Sequence, residues 1–213
     1  MFTEALFFIT NFVLLYVAVR KLDPRLREKK AVKAVMYLNS IAHGILIFAS
    51  SYSFLTRKMP MEKYFTYIEM TKGYLLYDLI TICYFRKHMD GFIMMLFHHI
   101  IFLSSLVFSD FLSIYTDLLA QALTCEITNF FLYGGWFLIQ LGLEKTFLFV
   151  MNALILVTLF LYFRVFNFIH LFITSLNVPG ADFESLILFF VALLNSYWFI
   201  LLAKKFINTL IYL

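Results

Sequence analysis

Seven long apolar stretches constrain this chain more than any other feature. Each is close to the roughly 20 residues that a helix needs to cross the hydrocarbon layer of a bilayer. Hydrophobic residues fill 63% of the 213 positions, and water-soluble domains are only about half apolar, so a water-soluble globule is excluded. The sequence predicts an all-α polytopic transmembrane bundle of about seven spans, near residues 4–20, 34–55, 66–85, 91–109, 112–139, 146–172 and 184–203.

Basic residues predict how the spans are oriented. The loop after the first span holds seven basic residues against two acidic ones, Asp23 and Glu28. Lys and Arg concentrate in cytoplasmic loops, and threading the spans from this loop puts twelve basic residues on its side of the membrane and four on or near the other. We therefore expect a lumenal N-terminus and a cytosolic C-terminus. The net charge of +4 reports these loops and does not imply nucleic acid binding.

The connections between spans predict a single bundle. The link between the fourth and fifth spans is as short as Ser109-Asp110, and short links favour antiparallel neighbours. No long soluble loop is evident in the sequence, so any chemistry is expected inside the bundle.

Polar side chains inside the apolar stretches are the candidate functional residues. On the third span five of them recur at helical spacing and are expected to face the interior: Tyr67, Thr71, Tyr74, Asp78 and Thr81. The fifth span carries Glu126 and Asn129, and the sixth carries Arg164. Charged groups at such depth need a partner, a cavity or a function. Arg164 either pairs with an acid or extends to the lumenal surface.

An adjacent histidine pair, His98-His99, lies about 10 Å inside the fourth span at 1.5 Å per residue. Neighbouring residues point about 100° apart on a helix, so the pair is not expected to hold a metal ion. An imidazole exchanges protons near neutral pH or accepts an acyl group, and Asp78, Glu126 or Tyr74 could orient it. The alternative is structural: one ring bonded to a buried carboxylate and the other packed.

Five segments in order resemble the TLC domain, the family named for the TRAM, LAG1 and CLN8 proteins. NSIAHGILI is similar to the start of that domain, GYLLYDLI to its G-Y-x-x-Y-D stretch, and FHHIIF to its histidine pair. TCEITNFFL resembles its acidic stretch and FLYFRVFNF its arginine helix. The resemblance implies a first span and basic loop over 1–32, a TLC domain of six helices over 33–205, and a short tail over 206–213.

The resemblance implies a lipid-handling protein of the endoplasmic reticulum that contributes to membrane lipid homeostasis. Ceramide synthases of this family transfer an acyl group from acyl-CoA to a sphingoid base and carry H-D-x-x-D on the helix after the histidine pair. Cys125-Glu126 and Asn129 stand there in this chain. In this departure the chain resembles the TLCD4-like branch and not the standard synthases. A ceramide-synthase-like acyltransferase is one alternative, a noncatalytic transport, cargo or translocation factor another, and a channel or proton-coupled transporter the last.

The site residues follow from this resemblance together with depth and helical phase. For an N-acyltransferase the catalytic candidates are His98, His99, Asp78 and Glu126, and the substrate-binding candidates are Tyr74, Tyr77, Asn129, Arg164 and His43. A single buried histidine such as His43 is more often structural. No cofactor is expected apart from acyl-CoA as a co-substrate, and no metal. The expected partners are membrane lipids, a second copy of the chain, or other membrane proteins.

Overall fold

The computed structural model describes residues 1–23, 27–89, 91–109, 116–178 and 180–211, and these residues form helices joined by turns. In chain order the helices are α1 (Phe2–Leu22), α2 (Glu28–Leu55), α3 (Met61–Tyr84), α4 (Phe92–Ser109), α5 (Thr116–Leu123), α6 (Thr128–Gln140), α7 (Phe147–Phe160), α8 (Asn167–Ser175) and α9 (Asp182–Ile211). A 3₁₀ turn, Thr124–Ile127, joins α5 to α6, and a π-helical turn, Leu161–Phe166, joins α7 to α8. The described residues thus form seven continuous helical segments, and the predicted helical class is confirmed.

Five of these segments are long and apolar enough to cross a membrane: 2–22, 28–55, 116–140, 147–175 and 182–208. The α4 helix is apolar but shorter, and α3 is long but rich in polar residues. Both stay predicted crossings. The chain is an integral membrane protein.

The helices extend beyond the predicted apolar stretches. The α2 helix starts at Glu28, six residues before the predicted 34, and α3 starts at Met61 instead of 66. Lys and Glu are good helix formers, so the backbone stays helical where hydrophobicity has already ended. The predicted Ser109-Asp110 connection and residues 112–115 of the predicted fifth span are not described, except for Ser109, which ends α4.

The chain divides into two compact units, Met1–Thr116 and Asp117–Leu213. In the first unit α3 packs against α1, α2 and α4. A cluster of Val32, Met36 and Ile82 joins α2 to α3, and side chains of α1 and α4 pack around it. In the second unit side chains of α6 and α9 pack around Leu156, Phe160 and Val165, and α8 packs against α9.

A close contact between α1 and α3 in the first unit involves Gly73 of α3. A Cβ atom added at Gly73 would lie 2.3 Å from the Cβ of Glu4 and 2.9 Å from the backbone nitrogen of Ala5. The two helix backbones can approach this closely only because residue 73 has no side chain. The contact brings Phe8, one turn further along α1, onto Tyr74 and Tyr77.

Candidate functional site

The polar stripe of α3 faces the interior of the first unit, as predicted. Thr71, Tyr74, Asp78 and Thr81 are buried, and Tyr67 is half-buried. Two threonines of the stripe donate hydrogen bonds within α3, Thr71 to the carbonyl oxygen of Tyr67 and Thr81 to that of Tyr77. Tyr74 and Asp78 point their polar groups at other helices.

His99 and Asp78 form a buried pair between α4 and α3. The Nε2 atom of His99 lies 2.7 Å from Oδ2 of Asp78, and its Nδ1 atom lies 2.8 Å from the carbonyl oxygen of Met95. A carbonyl only accepts, so Nδ1 carries a proton. A hydrogen bond between Nε2 and Oδ2 needs one further proton, held either by His99 or by Asp78. In both cases the two side chains together carry no net charge. Neutrality is the state that a low-dielectric interior tolerates.

Both ring nitrogens of His99 are therefore engaged. A general base or nucleophile needs a nitrogen lone pair directed at the substrate. Proton transfer by His99 requires its ring to release either Met95 or Asp78. In the observed arrangement His99 joins α4 to α3.

His98 lies on a different side of α4 from His99. The two rings are 5.4 Å apart and nearly perpendicular, and His98 is tilted against Phe102 at 4.6 Å. This agrees with the expected 100° separation of neighbouring helical residues. The adjacent pair thus provides one histidine bonded to Asp78 and one packed on an aromatic ring.

The remaining predicted residues of the first unit surround Tyr74. The ring of His43 stacks on Tyr74 at 3.9 Å, and the hydroxyl of Tyr74 bonds to Ser40 of α2. The hydroxyl proton of Thr71 is committed to Tyr67, so Thr71 accepts from Nε2–H of His43 at 3.2 Å. The Nδ1 atom of His43 is then an acceptor, buried and without a hydrogen-bond partner among the described residues.

Tyr77 is also held by α2, through a chain of two amides that continues to α1. Its hydroxyl accepts from Nδ2 of Asn39 at 3.0 Å, and Oδ1 of Asn39 accepts from Nδ2 of Asn11 at 2.8 Å. Sequence reasoning missed Asn11, Phe8 and Ser40. The available signal was Asn11 itself, a lone amide within an otherwise apolar span, since a buried amide needs partners.

A second polar cluster lies in the second unit and centres on buried Arg164. Its Nε atom donates to Oγ1 of Thr128 at 2.7 Å, and its Nη2 atom donates to Oδ1 of Asn129 at 3.1 Å and to Oε1 of Glu126 at 3.4 Å. Asn129 also donates to the other oxygen of Glu126 at 2.6 Å. Of the two outcomes left open for Arg164, the structure shows pairing with an acid.

Irregular helical turns present both halves of this second cluster. Glu126 lies on the 3₁₀ turn between α5 and α6, and Arg164 lies on the π-helical turn between α7 and α8. One turn away, Gln121 and Asn167 exchange two hydrogen bonds of 3.0 and 2.9 Å. A π-turn strains a helix and persists where it places a side chain that packing or function requires. Here it carries the arginine that neutralises Glu126.

The predicted site residues thus form two described clusters. His98, His99, Asp78, Tyr74, Tyr77 and His43 belong to the first unit, and Glu126, Asn129 and Arg164 to the second. The acidic partner of His99 is Asp78, and Glu126 has its own cationic partner. The catalytic and substrate-binding roles of these residues stay predictions. Among the described residues no group of three or more His, Cys, Asp or Glu is arranged to hold a metal ion.

Comparison with known proteins identifies the family. The family model of the TLC domain, shared by TRAM, LAG1 and CLN8, matches residues 28–204. No curated protein and no solved structure matches the chain. The match begins at the first residue of α2 and ends within α9, and it includes every predicted site residue. The TLCD4-like branch and the boundaries at 32 and 205 stay predictions. Most of the chain is covered by one family model, and the protein therefore belongs to the TLC domain family.

Proposed function

We propose that this protein binds or handles membrane lipids and contributes to membrane lipid homeostasis, with the buried polar cluster of its first unit as the binding site. The supporting observation is the concentration of polar groups around Tyr74, Asp78 and His99 in a unit that exposes many large apolar side chains. Burying polar groups in a membrane bundle is costly. Helix association alone gains only about 0.6–2 kcal/mol per polar contact.

The chemistry of the cluster favours an uncharged polar group on the ligand. The His99–Asp78 pair is neutral as a whole, and the tyrosine hydroxyls around it are neutral. His43 Nδ1 is a buried acceptor that a hydroxyl or N–H would satisfy. Lipids that carry a hydroxyl or an amide next to a long chain have this combination.

Photolabelling tests the proposal. Purified protein would be irradiated with photoactivatable sphingosine and, separately, with a photoactivatable fatty acid, and the labelled peptides identified by mass spectrometry. We expect the sphingosine label within 39–43, 71–78 or 95–102, displaced by unlabelled sphingosine. Label confined to outward-facing side chains outside these three segments, such as Ile80 and Ile93, which are exposed, would reject the cluster as a lipid site.

Acyl transfer is the second candidate, because a carboxylate bonded to an imidazole is the arrangement that orients a catalytic base. In that reaction the lipid amine attacks the thioester of acyl-CoA. A C–N bond forms, the C–S bond breaks, and the proton leaving the amine ends on the CoA thiol by way of a histidine. His99 could carry that proton only after releasing one of its two present contacts.

The acyltransferase hypothesis has a direct assay. Labelled acyl-CoA and a sphingoid base would be incubated with the wild type, His98→Ala and His99→Ala. If the hypothesis holds, the wild type forms an N-acyl product, and removing a base lowers the rate by about 10²–10⁴-fold. Absence of a histidine-dependent product, together with photolabelling of the cluster, would leave a noncatalytic transport or cargo role.

We further propose residence in the endoplasmic reticulum with a lumenal N-terminus. The basis is the family and the basic residues between α1 and α2. In a Cys83→Ser background, Lys58→Cys and Glu144→Cys would be tested with a membrane-impermeant thiol reagent. Glu144→Cys should react when only the plasma membrane is opened, and Lys58→Cys only after the organelle membrane is opened, since Lys58 follows α2 and Glu144 follows α6. The opposite pattern would reverse the topology.

A further inference from the structure

The first unit carries its positive charge at one end. The described residues there are the end of α1, the start of α2 and the turn between α3 and α4. Together they form the basic end: Arg20, Lys21, Arg27, Lys29, Lys30, Arg86 and Lys87, with two acids, Asp23 and Glu28. The opposite end of the unit is closer to balance, with five positive groups against three acidic residues, Glu4, Glu62 and Glu69. The positive groups are the N-terminal ammonium, Arg57, Lys58, Lys63 and Lys72.

Folding brings together basic segments that are more than 50 positions apart in the chain. Val32, next to the basic start of α2, lies in the same apolar cluster as Ile82, and Phe85 packs on that cluster directly before Arg86. Six of these seven basic residues are exposed and Arg20 is half-buried, whereas Lys33, in the second turn of α2, is buried. The positive-inside rule depends only on how many Lys and Arg residues a loop holds. In this unit helix packing also brings the start of α2 and the turn after α3 onto one surface.

Apolar side chains border the basic end. Leu22, Tyr84 and Ile93 are among the most exposed large apolar residues, at 86%, 81% and 75%. A ligand held by its anionic group at the basic residues would find apolar surface directly beside it. That combination fits a phospholipid with its headgroup on the charges and its acyl chains along the helices.

We propose that the basic end of the first unit is a binding surface for anionic phospholipid headgroups that carry phosphate monoesters, with Arg27 and Lys30 acting together with Arg86 and Lys87. A phosphate monoester holds more charge than the phosphodiester of an ordinary anionic lipid, so it gains more from converging cations. This surface is separate from the buried polar cluster and does not depend on its function.

The test uses the purified full-length protein. Phosphatidylinositol 4,5-bisphosphate, phosphatidylserine and phosphatidylcholine with identical acyl chains would be titrated and bound lipid counted by native mass spectrometry. We expect the bisphosphate lipid to bind most tightly. Arg27→Gln/Lys30→Gln and Arg86→Gln/Lys87→Gln should each weaken it roughly 30-fold. Lys58→Gln/Lys63→Gln, which removes two exposed charges from the opposite end, should leave it unchanged.

Three results would overturn the proposal. They are equal binding of all three lipids, an equal loss in the Lys58→Gln/Lys63→Gln control, and equally tight binding of soluble inositol trisphosphate, which would make the surface a site for free phosphates. Size-exclusion profiles of the variants separate misfolding from lost binding. If one basic pair alone unfolds the protein, the other pair and the salt dependence of wild-type binding decide the outcome.

Discussion

Replacing Arg164 by leucine is expected to destabilise the second unit by about 3 kcal/mol or more, one of the two largest effects that the structure predicts. The substitution removes three donors at once, those to Thr128, Asn129 and Glu126. It also leaves Glu126 buried without its cation. Removing one partner of a buried ion pair costs about 3–5 kcal/mol, far more than the pair itself contributes.

Cys125 provides the measurement. It is a fully buried free thiol next to Glu126, and Cys83, the other cysteine, is exposed. In a Cys83→Ser background, a thiol-reactive dye would report thermal opening of the second unit through Cys125. Arg164→Leu should lower the midpoint sharply, and Arg164→Lys should lower it less, because it keeps the charge but loses the guanidinium geometry.

A double variant tests whether the charge is the cause. Glu126→Leu/Arg164→Leu removes both charges, so it should recover part of the stability lost in Arg164→Leu. If Glu126→Leu lowers stability in the Arg164→Leu background as much as it does alone, the two residues act independently. The ion pair would then not explain the stabilising effect of Arg164.

Replacing Gly73 by alanine is the second large expected effect. Alanine favours a helix by up to about 1 kcal/mol over glycine, which by itself would stabilise α3. The new Cβ, however, would meet the Cβ of Glu4 and the backbone of Ala5 below 3 Å, and neither atom is the flexible end of a side chain. Overpacking of this kind costs about 1–3 kcal/mol or more, so we expect α1 to separate from α3.

Thiol cross-linking across α1 and α2 would measure that separation. Asn11 and Asn39 touch through their side chains, so in a Cys83→Ser background Asn11→Cys/Asn39→Cys should be joined readily by a short bifunctional thiol reagent with Gly73 present and slowly with Gly73→Ala. Gly134→Ala in α6 is the matched control, since its Cβ would have ordinary contacts at 3.4 Å. Unchanged cross-linking in the Gly73→Ala chain would show that α1 tolerates the added methyl group.

Much of the first cluster follows from the sequence because helical periodicity is a local property. The spacing of Thr71, Tyr74, Asp78 and Thr81 predicts one buried face, and the structure confirms it. The similar depths of Asp78 and His99 in neighbouring spans made their pairing foreseeable. Periodicity does not determine which ring nitrogen bonds to which acceptor, so the engagement of both nitrogens of His99 is seen only in the structure.

The contribution of α1 was not foreseeable in the same way. Hydrophobicity marks it as a span, and its surface is largely apolar and exposed, with only Ala5 and Phe8 buried. Its fit to α3 depends on the missing side chain of one residue, Gly73, on another helix. The 3₁₀ and π-helical turns that bear Glu126 and Arg164 were equally hidden, because they result from tertiary packing and not from local propensity.

The polarity of α3 has a consequence for biosynthesis. Glu69, Lys72 and Asp78 are charged residues within the predicted span 66–85, and a charge near the bilayer centre, where Asp78 lies, costs about 2.5–3.5 kcal/mol during insertion. A nascent α3 released alone would therefore partition poorly into lipid. Its partners α1 and α2 precede it in the chain and are already present when it emerges. The close contact at Gly73 thus lets α1 act as an insertion partner within the same chain. It packs against α3, a helix that would enter the bilayer poorly by itself.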